Sequence, residues 1–122
     1  MKNTTLDREV RRQRALQRLD SSDPRCARCG ENDPHCLERH HIAGRAYDDR
    51  TTIVCRNCHR KLSDLQCDHP AQIGDPPSLN EHVGHFLLGL ADLFALLIEM
   101  LREFGLALIK MARANAEKDI GA

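Results

Sequence analysis

Apolar residues are thinly spread over the first 77 positions of this chain and crowd the last third. The break falls at Ser78-Leu79-Asn80-Glu81. This is a capping box of the S-x-x-E form, in which a hydroxyl and a carboxylate satisfy the free amides of a helix start. Beyond it, Leu90, Leu97, Phe104 and Met111 recur every seven residues, with Leu87, Phe94, Leu101 and Leu108 recurring beside them. Phe86, Leu93 and Met100 widen that face. The pattern predicts one long helix over 79–117, about 55 Å from end to end, and a short tail over 118–122.

Upstream the periodicity weakens. Leu6, Val10, Leu16 and Leu19 form a partial stripe, with Thr4 placed as a cap and Asp7 in the favourable first turn. A helix over 5–19 is expected inside an Arg-rich segment, 1–24, that ends at Ser21-Ser22-Asp23-Pro24. Residues 37–42 and 51–55 have the length and composition of hairpin strands, with 44–49 as their turn. A helix follows from Cys58 to about Gln66, completing a module over 25–67. Pro70, Gly74, Pro76 and Pro77 make 68–78 a linker.

A module of that size cannot cover the long helix, so a further surface must. Packing within the monomer, a membrane and a second copy of the chain are the three alternatives. Asp92, Glu99, Arg102 and Glu103 weigh against a span, at about 2.5–3.5 kcal/mol each near a bilayer centre. The polar positions mix both charge signs, unlike the basic face of most interfacial helices. Self-association through the wide heptad face fits best, giving a homodimer as the expected state.

The formal net charge of zero hides an asymmetry. Residues 1–60 carry thirteen Lys and Arg against nine Asp and Glu, a balance of +4, and residues 61–122 carry the compensating −4. The first half is therefore suited to a polyanion. The N-terminus is polar and Arg-rich, without the apolar core of a secretion signal. Six cysteines in such a chain read as thiols in a reducing, cytoplasmic setting.

Four of the six fall into two Cys-x-x-Cys pairs, Cys26/Cys29 and Cys55/Cys58. That spacing makes a closed set of four thiolates for a structural zinc. A segment whose only aromatic residue is Tyr47 needs such a staple to fold. Cys36 and Cys67 are left as a small packing residue and a thiol of no assigned role. His40 and His41 adjoin on a strand and so face opposite sides. His59 follows Cys58 on a helix and turns away from the zinc. One of the first two can join His59 on a second divalent metal while the other serves as a base. His35, His69, His82 and His85 read as loop or helix-start residues without a ligand role.

His40-His41, a short turn and Cys55-x-x-Cys58-His59 together resemble the HNH endonuclease family, over about a third of the chain. The resemblance implies an α+β fold: a zinc-stabilised ββα-metal core, a variant of the treble clef, here flanked by an N-terminal helix and a long C-terminal one. It implies that His40 and His59 ligate a catalytic divalent metal (Mg²⁺, Mn²⁺, Ni²⁺ or Zn²⁺). It makes His41 the general base and DNA the substrate, with RNA as the alternative polyanion. The position that is Asn in the family, nine residues before the final His, is Arg50 here. Asp48 and Asp49 stand beside it and can take over its orienting role, Asp49 being the candidate. Arg45 and Arg50 are candidate phosphate contacts. The same Cys/His set also fits a non-catalytic zinc module that binds nucleic acid or protein.

Overall fold

The computed structural model describes residues 4–121. It is an α+β chain in the order α1 (Thr4–Leu19), a single 3-10 turn (Pro34–Cys36), β1 (Leu37–His41), β2 (Thr51–Cys55), α2 (Arg56–Gln66) and α3 (Leu79–Gly121). The two strands pair antiparallel, with Leu37 opposite Cys55 and His41 opposite Thr51. The strands match the expected 37–42 and 51–55 to within one residue, and residues 68–78 carry no helix or strand.

α2 begins at Arg56 because Cys55 caps it: its Sγ accepts the Cys58 N–H at 3.5 Å. The expected start at Cys58 is two residues late, since a cysteine was not read as a capping group. The described part of α1 begins at Thr4, so any cap ahead of it lies outside the described residues. Its apolar stripe is only half used. Leu19 and Ala15 are buried, whereas Leu6 and Val10 are exposed. The Arg18 guanidinium ties the helix end down by donating to the carbonyls of Leu37 (3.1 Å) and Pro34 (3.4 Å).

The core is small. Leu19, Leu37, Val54 and Leu62 pack around the cysteines Cys26, Cys55 and Cys58, and Leu93 and Leu96 of α3 close the cluster. α3 is longer than expected. Residues 118–121 continue it in place of a tail, because Ala112, Ala114, Ala116 and Lys118 favour helix and no breaker intervenes before Gly121. The module covers only its first half, and from Leu101 to Gly121 every described side chain is exposed.

The capping box forms as predicted. Ser78 Oγ accepts the Glu81 N–H at 3.2 Å, and Glu81 Oε2 accepts the Ser78 N–H at 2.8 Å. The same carboxylate accepts from Ile73 (2.6 Å) and Gly74 (3.3 Å), strapping the linker to the helix start. These amide donors, Ser78 first, lower the Glu81 pKa from 4.5 to about 2. A depressed carboxylate stabilises the fold above its unfolded pKa and loses that contribution as pH falls. Wild type should therefore melt above Glu81→Gln at pH values above 4.5, with the gap closing as pH falls to 2. A gap independent of pH would mean that the charge is not what holds the strap.

Candidate metal centres

Cys26 and Cys29 sit on a tight knuckle whose turn needs Gly30, at φ +79°. Gly30 donates to the Cys26 carbonyl at 3.0 Å, and the Cys29 N–H reaches Cys26 Sγ at 3.5 Å. The Ala27 N–H donates to the Ile53 carbonyl of β2 at 2.9 Å, which brings this knuckle against the one formed by Cys55 and Cys58. The four sulfurs lie within 4.8 Å of one another. Cys29 Sγ and Cys55 Sγ are 3.7 Å apart. A tetrahedron with arms of about 2.3 Å, the Zn–S length, has edges of about 3.8 Å. The cluster thus has the size and donor chemistry of a structural zinc site.

The thiols' acidities fit the same reading. Burial alone would raise Cys26, but the amides of Cys29, Cys55 and Arg28 outweigh it and bring its pKa down to about 7. Burial, with the neighbouring thiols Cys55 and Cys26, pushes Cys58 up to about 12 against the hydrogen bond from Arg28. Four such thiols cannot all ionise side by side unless a dication offsets their charge. Arg28 also links the cluster to α3, donating to the Leu96 carbonyl at 3.3 Å and pairing with Glu99 at 3.7 Å.

His40 of β1 and His59 of α2 come together. Their ring centroids are 5.2 Å apart in an edge-to-face arrangement. Two imidazoles on one tetrahedral ion, with metal–nitrogen bonds of about 2.0–2.1 Å, place their centroids about 5.2 Å apart. His40 is almost fully buried, at 4% exposure. Burial, then the charges of His59 and His41, lower its pKa to about 4 against the pull of Asp92. It is therefore a neutral imidazole at pH 7, with a lone pair to offer.

His59 Nδ1 is 2.5 Å from Glu38 Oε2, and the other Glu38 oxygen is held by Arg56 at 3.5 Å. A carboxylate on Nδ1–H favours the tautomer whose Nε2 lone pair can serve as a ligand. The sequence reading missed Glu38. The signal was available: residues 38 and 40 share one face of a strand.

His41 is half-buried and, by strand alternation, lies on the opposite face from His40. The Gln66 amide donates to the His41 and Ile42 carbonyls at 3.0 and 3.3 Å and lies 3.4 Å from His40 Nε2. Asp49 is exposed, and among the described residues no hydrogen bond joins it to an imidazole. Glu38 is the carboxylate that contacts His59. Arg50 is paired with Asp48 at 3.3 Å and lies over the Phe86 ring at 4.7 Å, with its side chain still 70% exposed. Arg45 is exposed.

Three of the four histidines without an expected role, His69, His82 and His85, form a second layer between the hairpin turn and α3. His69 Nε2 bonds Asp92 at 2.6 Å. His85 stacks on Tyr47 at 3.8 Å, and His82 bonds the Tyr47 carbonyl. These contacts dock α3 and are non-local, which is why no spacing in the sequence announced them. No protein family, curated protein or solved structure matches this chain.

Proposed function

We propose that this chain is a metal-dependent, HNH-like endonuclease that hydrolyses phosphodiesters in DNA. Its core is read as a ββα-metal variant of the treble clef. The observation that carries the reading is the 5.2 Å approach of His40 and His59, one ring neutral by burial and the other aimed by Glu38. These two imidazoles are the ligands of a divalent ion, which when bound polarises the scissile phosphate and stabilises the departing oxygen. Glu38 holds the proton on His59 Nδ1. Gln66 fixes the end of β1 and so the position of the His41 backbone. His41 takes a proton from the attacking water.

Exposed arginines supply backbone contacts. Arg11, Arg12 and Arg14 line α1, where Arg8, Arg11, Arg12 and His35 border a shallow groove of 480 Å³. Arg39, Arg45 and Arg60 are exposed around the hairpin and α2. Phosphate contacts of this kind give affinity without sequence choice, so binding is expected to weaken steeply with salt. Ligands that are reduced thiols suit a cytoplasmic setting.

The family's Asn position favours a second reading. Arg50 there is engaged by Asp48 and Phe86, which leaves a zinc module that binds nucleic acid without cutting it. Plasmid nicking in Mg²⁺, Mn²⁺ or Ni²⁺ separates the two. Wild type should nick, and His41→Ala should nick about 10²–10⁴-fold more slowly while still retarding DNA. Equal inertness of both proteins in all three metals, with DNA binding kept, assigns the chain to the second reading.

A further inference from the structure

α3 divides its apolar surface between two faces. His85, Gly89, Leu93 and Leu96 are buried against the zinc module. Leu87, Phe94, Leu101, Phe104, Leu108 and Met111 are each 54–67% exposed. With the half-buried Leu90 and Leu97 they advance in alternating steps of three and four, the spacing of a coiled-coil seam. At about 100° per residue this seam lies roughly a third of a turn from the docking face. The module therefore leaves it bare beyond Met100 and only partly covers it, at Leu90 and Leu97, alongside the core.

We infer that this seam binds a second copy of the chain, forming a two-chain helical interface. The seam carries no charge between Leu87 and Met111, so it asks for an apolar partner surface like itself. Glu99, Arg102, Glu103, Lys110 and Arg113 all lie off it. Asn115 occupies the next seam position, where a parallel second copy offers the matching amide. Gly84, Ala91, Gly105 and Ala112 recur along one flank and let a second helix approach closely. Side chains this exposed put on the order of 1,000 Å² into a symmetric contact, the size at which specific interfaces begin.

A bilayer is the competing occupant. α3 is long and apolar enough to cross one, with a mean hydropathy of 1.8 over its most apolar 18 residues. Yet its first half is clamped to the module through Gly89, Asp92 and Leu96, and its bare half carries Arg102, Glu103, Lys110 and Arg113.

Sedimentation equilibrium of the full-length, zinc-loaded chain, without detergent, tests the inference independently of any nuclease activity. Wild type should be a dimer. Leu101→Glu/Leu108→Glu should weaken the association by a factor of roughly 100 or more. Leu106→Glu, 70% exposed on the opposite side of the helix, should leave it unchanged. Helix content by circular dichroism and zinc content confirm that each variant is folded. A wild-type monomer, a dimer indifferent to the double substitution, or a chain soluble only with lipid vesicles or detergent overturns the inference.

Discussion

Cys58→Ser, or removal of the metal by a chelator, should unfold the whole region from Cys26 to Gln66. Cys58 is 2% exposed and lies in the core cluster with Cys26, Cys55, Leu37 and Leu62. That core has too few large side chains to stand by itself. A structural zinc contributes about 10–16 kcal/mol in apparent terms at pH 7, more than the net stability of most small domains. Metal content should fall to zero, and the hairpin's amide protons should lose their protection from exchange. Residual helicity from α3 should persist, so total helix content is the poorer readout. A Cys58→Ser protein that still unfolds cooperatively at the wild-type midpoint would contradict a metal-dependent core.

Gly89→Ala should detach α3 from the module. A Cβ at Gly89 would lie 1.7 Å from the Ile42 carbonyl oxygen and 2.6 Å from its carbon, both backbone atoms. Neither can swing aside as a flexible side chain would, because the Ile42 N–H is bonded to the Arg50 carbonyl at 3.1 Å and its own carbonyl accepts from Gln66. The cost should be about 3 kcal/mol or more. Gly84→Ala, five residues earlier on the same helix, meets nothing within 4 Å and should gain about 0.5–1 kcal/mol from helix propensity. Chemical denaturation of the pair measures both. Equal midpoints would mean that the close approach is not what seats α3.

The cysteine knuckles, the hairpin and the capping box were legible because each is written in local spacing. So was the separation of His59 from Cys58, which follows from helical geometry alone. Contacts between distant segments were not legible. The His69–Asp92 bond spans 23 residues and the Tyr47–His85 stack spans a turn and a linker, so no periodicity could reveal them. The wide apolar face of α3 looked like one surface, and only the docking of Gly89 on Ile42 divides it in two. Asp49 looked like the orienting group because it sits near the family's Asn position. The contact with His59 is made by Glu38, which strand geometry sets beside His40.

The proposed function requires two ions per chain, one held by four thiolates and one by His40 and His59. Titration of the metal-free chain with Co²⁺ reads both, since thiolate coordination gives an intense near-ultraviolet band that imidazole coordination lacks. Wild type should saturate the thiolate band at one equivalent and take up a second, weaker equivalent that leaves this band unchanged. His59→Ala should keep the first and lose the second. Uptake that stops at one equivalent in wild type, or a second equivalent that survives in His59→Ala, would contradict the paired-imidazole site.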